Sequence, residues 1–199
     1  MQVTLAELWL PILIATVCVF FASFVIWMLL PYHKADIKVL PNESDYTDAM
    51  GKLNIKPGFY MYPNCQSNKD MKSDEFQARL KTGPWGSVNV LSAQPSFPMS
   101  LIKTFTVYLI ITIMVAYIAS IGVAAGADYM HVFRVIATAG ILGHCMGGLA
   151  GSFFLGTPNR FIFTSFVDGV IFALITAGVI ASMWPGLPVD GIQPELIVQ

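Results

Sequence analysis

Three consecutive residues in the most glycine-rich apolar stretch of the chain have side chains that can bind a soft metal ion. They are His144, Cys145 and Met146, within residues 132–155. Consecutive residues of an α-helix point about 100° apart, so a regular helix directs these side chains away from one another. We therefore expect no metal site here, and the sequence predicts no cofactor.

His144 lies about halfway along this stretch. A polar side chain at that depth of a membrane-spanning helix is a candidate functional group. One interpretation is a neutral imidazole that is hydrogen-bonded to a neighbouring helix, where Thr112 and Thr176 lie at a similar depth. The alternative is a proton relay or a ligand contact.

Asp168 and Arg134 are each predicted one turn inside a membrane-spanning helix. Arg160 and Lys103 lie at the level of Asp168 and could pair with it. Asp128 or Glu7 could pair with Arg134. Charges near helix ends commonly snorkel or pair for structural reasons. The central turns of the predicted helices carry no Asp, Glu, Lys or Arg, which argues against an ion-coupled transporter.

Small residues recur every fourth position on two of the apolar stretches, and such stripes let membrane helices approach closely. A third stripe, of small and polar residues, begins at Thr104. We predict that the second, third and fourth spans pack tightly, with the first more peripheral, and that leucine at Gly143 and Gly147 destabilises the fold. The predicted helix-packing residues are Ala139, Gly143, Gly147, Gly151, Gly169, Ala173, Ala177 and Ala181.

The composition indicates a membrane protein. Of 199 residues, 55% are hydrophobic and 12% are charged, whereas soluble domains are about 25% charged. The net charge of −1 gives no electrostatic basis for binding nucleic acid. The three cysteines are far apart, so neither a disulfide framework nor a zinc motif is indicated.

The predicted fold is an all-α membrane protein with four transmembrane helices and a small α+β insertion between the first two. The first helix lies within residues 1–30, and the insertion covers 31–98. Residues 99–185 form the other three helices, at about 101–123, 132–155 and 165–184, each long enough to cross a bilayer. A tail of 186–199 follows.

The insertion carries eight Lys or Arg and seven Asp or Glu. We expect a helix over 45–53, a strand over 58–62, a helix over 74–81 capped by Ser73, and a strand over 87–91. So small a segment buries little surface alone, and we expect it to lean on the membrane or on a partner.

Basic residues decide the predicted orientation. Lys34, Lys38, Lys103 and Arg160 lie on one side of the predicted membrane plane. The positive-inside rule then places residues 31–98 in the cytoplasm and both termini in the periplasm.

Several segments resemble a family of uncharacterised bacterial integral membrane proteins. They are LPYHKAD, LPNE, KPGFYMYP, DEFQARLKTGP, HVFRVIATAG and VDGVIFALITAGVIASMWP. The most specific parts are YHKAD and the run DG-x-x-x-A-L-x-T-A-G. The resemblance covers nearly the whole chain and implies an inner-membrane location and this span count. It implies no activity, so it transfers no catalytic residues.

The sequence contains no Walker, GxSxG, HExxH or dinucleotide motif, so we expect no enzyme. The expected function is association within the bilayer, as an accessory subunit of a membrane complex or a self-assembling scaffold. The alternative is a small-molecule channel or carrier with His144 in its path.

Overall fold

The computed structural model describes residues 2–65 and 67–187. Its main elements are four helices that are long and apolar enough to cross a membrane, as in a multi-pass membrane protein. The spans cover Trp9–Leu29, Phe97–Gly122, Tyr129–Phe154 and Asn159–Ser182. Residues 188–199 of the predicted tail lie outside the described part.

The first span consists of helix α1 (Trp9–Phe24) and a π-helical turn (Val25–Leu29), and a 3-10 turn (Pro31–Ala35) follows it. The second span is α5 (Phe97–Gly122), which has proline in its first turn, where no helical hydrogen bond is lost. The fourth span is α8 (Asn159–Ser182).

The third span is not the continuous helix that the sequence predicts. Helix α6 (Tyr129–Ile141) passes into a π-helical turn (Leu142–Met146), and after Gly147 and Gly148 the chain resumes as α7 (Leu149–Phe154). Glycine weakens a helix because it has the greatest backbone freedom to lose. The same glycines that suggested close helix contact therefore mark the break in this span.

The four spans form a ring in which each contacts two others. Helix α1 contacts α5 and α8, and α6 contacts the same two helices. The expectation of a peripheral first span is therefore wrong: Leu8, Ala15 and Val19 are fully buried. The span is rich in Phe, Leu and Ile. Phe21 and Phe24 are exposed, so the composition alone did not show which of its residues face the core.

The main hydrophobic core lies at the end of the ring that holds the N-terminus and the end of α8, here called the terminal side. Its central side chains include Leu8, Val115, Ile136 and Ile180. The other end, here called the insertion side, has only the small cluster of Val19, Ile26 and Phe172. The insertion side is therefore the less apolar half of the ring.

Two glycines allow the third and fourth spans to approach closely, and only one of them, Gly169, is among the predicted packing residues. A Cβ atom at Gly140 would lie 3.0 Å from the Cβ of Ala173, and one at Gly169 would lie 2.7 Å from the Sγ of Cys145. At Gly147 and Gly151 it would meet no described atom within 4 Å. These two residues do not pack inside the ring.

The remaining predicted packing residues divide by helix. On α8, Ala173, Ala177 and Ala181 are buried, and on α6 Ala139 is buried. Gly143 is exposed, although a Cβ atom there would lie 3.0 Å from a methyl carbon of Ile111. The small stripe of the fourth span therefore faces the core, whereas that of the third span turns outward beyond Ala139.

The insertion contains α2 (Glu43–Leu53), β1 (Gly58–Tyr62), α3 (Asn68–Met71), α4 (Asp74–Thr82) and β2 (Gly86–Val90). The strands pair antiparallel, with Gly58 opposite Val90. Ser73 caps α4 by accepting a hydrogen bond from the Phe76 amide at 3.2 Å, as its position predicts. Among the insertion's described residues beyond the 3-10 turn, only Phe76 is buried, so the sheet has almost no core of its own.

Candidate functional site: a buried histidine between two aspartates

The most polar buried cluster joins the exit of the first span to the beginning of the fourth, on the insertion side. At its centre is His33, which is 4% exposed. Pro31 begins the 3-10 turn that carries His33, because its ring presets the backbone angle for the turn. This turn folds the chain back over the end of the bundle, so that His33 faces α8.

Both ring nitrogens of His33 contact carboxylates. Nε2 lies 2.9 Å from Oδ2 of Asp168, and Nδ1 lies 2.8 Å from Oδ2 of Asp36. A neutral imidazole has one N–H, whereas its imidazolium form has two. Two hydrogen bonds to carboxylates therefore require one further proton, held either by the imidazole or by one of the acids.

Arg160 adds a positive charge to the cluster. Its Nε lies 2.9 Å from Oδ1 of Asp36, and its Nη2 donates to the carbonyl oxygen of Tyr32 at 2.9 Å. The contact with Asp36 is an ion pair without an aligned hydrogen bond. The guanidinium is more than half exposed, so Arg160 closes the cluster from the aqueous side.

Two hydroxyl groups and one ring complete the cluster. Tyr32 donates to Oδ1 of Asp168, and Thr164 donates to Oδ2 of Asp36 at 2.8 Å. The indole of Trp27 stacks on the His33 ring, with centroids 3.9 Å apart and planes 7° apart. Both aspartates are thus bonded from two directions, and the imidazole is held by its edges and one face.

The cluster changes the acidity of two of its groups that lie outside the membrane spans. Burial opposes ionisation of Asp36, but hydrogen bonds from Thr164 and His33 and the charges of Arg160 and His33 outweigh it, and its pKa falls below the ordinary value. Burial raises the pKa of Tyr32, and so does its hydrogen bond to the Asp168 carboxylate. Asp36 is held ionised and Tyr32 is held protonated.

This arrangement can hold a proton and fasten two segments, but it lacks the parts of a hydrolytic site. The described residues around His33 include no cysteine or serine placed as a nucleophile for it. No group of three or more His, Cys, Asp or Glu within residues 2–65 and 67–187 could hold a metal ion. The cluster's clearest role is to fix the base of the insertion to α8.

Of the polar residues predicted from the sequence, Asp168 is the one that enters this cluster. The expectation that it pairs with Arg160 or Lys103 is wrong, because Arg160 pairs with Asp36 and the partner of Asp168 is His33. Lys103 makes no ion pair with the described residues. Charged side chains therefore do pair on the insertion side, but with partners other than those predicted.

Arg134 is exposed and also makes no ion pair within the described chain. The two acids expected to pair with it act locally instead. Asp128 accepts from the His131 amide at 3.1 Å and so caps α6, and Glu7 accepts from Thr4 at 2.7 Å. Asp128 and Glu7 satisfy backbone groups at helix starts, where acidic caps are favoured.

His144 lies apart from the cluster, with its ring near those of Tyr108 and Phe172, at centroid distances of 6.0 and 5.9 Å. Its Nε2 is buried and has no hydrogen-bond partner among the described residues. The expected bond to Thr112 or Thr176 is absent from the described residues, and both hydroxyls donate to carbonyl oxygens of their own helices.

Cys145 and Met146 do not converge with His144. The Cys145 thiol contacts the carbonyl oxygen of Phe166 at 3.6 Å, and Met146 is exposed. The prediction that these neighbours point in different directions is thus confirmed, although the turn is π-helical. His144 instead borders a cavity of about 150 Å³ that Ser152 and Ser165 also line.

Sequence reasoning missed Tyr32, His33 and Asp36 as members of a site. One signal for this site was present in the sequence. Tyr32, His33 and Asp36 follow the first span directly, on the side of the membrane where Asp168 was predicted. The missing information was spatial, because 135 positions separate His33 from Asp168.

No known protein family, curated protein or solved structure matches this chain.

Proposed function

We propose that this protein acts by association in the bacterial inner membrane, and that it pairs with a second copy of itself through the third span. The observation that carries the proposal is the open glycine surface of that span. A Cβ atom at Gly147, Gly148 or Gly151 would meet no described atom within 4 Å. Nothing in the described part of the chain covers this surface.

Two of these glycines have the spacing of a helix-pairing motif. Gly147 and Gly151 are four residues apart, which brings bare backbone to one face and lets a second helix approach closely. Gly147 and Gly148 have right-handed helical backbone angles, so the backbone does not require glycine at either position. The approach of an external helix explains why side chains are absent from this outward surface, whereas no contact inside the ring requires it.

The insertion supports the same proposal. Its two-stranded sheet exposes Phe59 and Tyr62, and Trp85, just before β2, is exposed as well. Two strands alone are marginally stable. A dimer with its two-fold axis along the membrane normal brings both insertions to the same side, since symmetric copies present the same surfaces. Each insertion then has a neighbour that can cover its aromatic side chains.

The test compares glycines inside and outside the ring. Leucine at Gly147 or Gly151 should leave the monomer folded but abolish energy transfer between donor- and acceptor-labelled copies in lipid vesicles. Gly140→Leu is the matched control, because its side chain collides with Ala173 and should destabilise the monomer itself. Unchanged energy transfer in both outward variants, or none in the wild type, would overturn the proposal.

We also propose that the insertion faces the cytoplasm. The support is the position of Lys34, Lys38, Lys103 and Arg160 at its membrane border. Cys65 lies in the insertion, whereas Cys18 and Cys145 lie within spans. A membrane-impermeant maleimide should label Cys65 in inside-out vesicles and not in intact spheroplasts; the reverse pattern would invert the orientation.

A second candidate function is passage of a small polar solute beside His144. It is favoured by the unpartnered Nε2 of His144 and the adjoining cavity of about 150 Å³. Glycerol uptake by proteoliposomes, followed by light scattering, tests it. His144→Ala should abolish protein-dependent uptake, and an absence of uptake in the wild type would remove this candidate.

A further inference from the structure

A second pocket, of about 360 Å³, opens between the first and second spans on the insertion side. Its walls come from α1, the π-helical turn and α5, and include Phe20, Phe24, Trp27 and Tyr108. The volume lies within the range of roughly 300–1,000 Å³ that is typical of small-molecule sites. Because both walls are membrane-spanning segments, an occupant enters sideways from the lipid.

One threonine in this pocket behaves differently from every other threonine of the described spans. Six of the seven donate to the carbonyl oxygen four residues earlier, which is the usual way a helical threonine satisfies its hydroxyl. Thr104 makes no such bond, and it lines the pocket. The six that do are Thr16, Thr106, Thr112, Thr138, Thr164 and Thr176.

Two other polar residues line the pocket with Thr104. Tyr108 lies one turn further along α5, on the same face, and its hydroxyl lies beside the hydroxyl of Ser23. Ser23, on the facing wall, gives its own proton to the Phe20 carbonyl oxygen at 2.8 Å. Thr104 therefore donates to no described residue, and the Tyr108 hydroxyl has only Ser23 beside it.

The walls restrict the chemical class of the occupant. The described lining residues carry no formal charge, so the pocket offers nothing to an anionic headgroup. A plain acyl chain would leave the Thr104 hydroxyl unpaired, which costs free energy in an apolar medium. Aromatic walls favour a flat ring, and hydroxyl donors favour a ring that bears carbonyl oxygens.

We propose that this pocket binds a lipid-soluble quinone, with the ring between the aromatic walls and a ring carbonyl accepting from Thr104 and Tyr108. Trp27 connects this pocket to the His33 cluster. It lines the pocket and also stacks on His33. The bound ring thus lies beside a residue that contacts the proton-holding cluster of His33, Asp36 and Asp168.

Binding is measured by fluorescence quenching, because quinones quench tryptophan. The full-length protein in phosphatidylcholine nanodiscs is titrated with a benzoquinone that carries a decyl tail. The wild type should show saturable quenching, and Trp27→Phe should remove the saturable part, since the other three tryptophans lie outside the pocket. Quenching that rises linearly, or saturable quenching that survives Trp27→Phe, would overturn the proposal.

The hydroxyls are tested with a matched pair on α5. Thr104→Val should weaken binding roughly fivefold to tenfold, as loss of one hydrogen bond does, whereas Thr106→Val should leave binding unchanged because Thr106 donates to Ile102. Equal affinity in these two variants would contradict the assigned role of Thr104.

Two further measurements distinguish recognition of the ring carbonyl from recognition of bulk alone. Tyr108→Phe should weaken binding by a similar factor, and it keeps the ring that the wall requires. Decylbenzene, which has the ring and tail without carbonyl oxygens, should compete poorly. If decylbenzene competes as well as the quinone, the pocket recognises bulk alone and the proposal fails.

Discussion

Nε2 of His33 lies 2.9 Å from Oδ2 of Asp168, although the two residues are 135 positions apart and belong to opposite ends of the chain's membrane region. This contact joins the turn after the first span to the fourth span. It is buried, as both side chains are 4% exposed. The pair therefore connects the insertion to the bundle where the ring has its smaller apolar cluster.

Breaking this pair should destabilise the fold. Asp168→Asn keeps the side-chain shape but removes the charge that His33 and Tyr32 contact, and we expect a loss of about 3–5 kcal/mol. Thermal unfolding in mild detergent measures it. Asp48→Asn, at an exposed insertion site, is the control and should change little.

A double variant tests whether His33 and Asp168 stabilise the fold as a pair. Replacing both His33 and Asp168 by leucine should cost less stability than the single variants His33→Leu and Asp168→Leu do in sum, because apolar replacement removes both buried polar groups together. If the double variant is as unstable as the sum of the two single variants, the two residues do not act as a pair.

Acid should weaken the cluster through Asp36. Its folded-state pKa is lowered, so its contribution to stability is present above the unfolded value of about 4 and is lost as the pH falls through the lower folded value. Thr164→Val removes a hydrogen bond to Asp36 and should shift acid unfolding to higher pH. Tryptophan fluorescence during acid titration measures the unfolding pH, with Thr106→Val as the control. If the curves of Thr164→Val and the wild type coincide, the hydrogen bond from Thr164 does not stabilise the charge of Asp36.

Tyr32 should remain protonated at pH values where an ordinary tyrosine ionises. Its pKa is raised by burial and by Asp168, so its contribution to stability is present below about pH 10 and is lost as the pH rises through the folded value. Ultraviolet difference absorbance between the wild type and Tyr32→Phe follows its ionisation. A difference signal that titrates near pH 10 would show that Tyr32 does not bond to Asp168.

Gly169 should tolerate no added methyl group. A Cβ atom there would lie 2.7 Å from the Sγ of Cys145 and 3.0 Å from the carbonyl oxygen of His144. Gly169→Ala should therefore cost about 1–3 kcal/mol, the usual range for overpacking, as measured by thermal unfolding.

Gly178 provides the control on the same helix, because its nearest neighbour would be the Tyr129 hydroxyl at 3.9 Å. Gly178→Ala should be neutral or stabilising, since alanine is the better helix former. Equal destabilisation by both substitutions would show that backbone conformation, rather than contact with Cys145, sets the cost.

The elements of the insertion follow from local signals. Strand Gly58–Tyr62 begins at the Pro57-Gly58 pair, and Ser73 begins helix Asp74–Thr82 through a single hydrogen bond to a nearby amide. Such signals act over a few residues, so they can be read from the sequence. The break after Gly147 is also local, but four-residue glycine spacing is typical both of close helix contact and of a weakened helix, and the sequence alone does not separate the two.

The sequence by itself determined the four apolar spans, because each backbone amide and carbonyl in lipid must be paired within its own helix, and a long apolar run does this without help from the rest of the chain. The expectation that charges avoid the central turns fails at Asp168, because the fourth span begins at Asn159 and this places Asp168 near its middle. Only the tertiary structure decided that Asp168 meets His33, that Asp36 meets Arg160, and that Thr104 faces a pocket. Helix rotation and neighbour order set those contacts, and they depend on side chains far apart in sequence, such as Ala173 against Gly140.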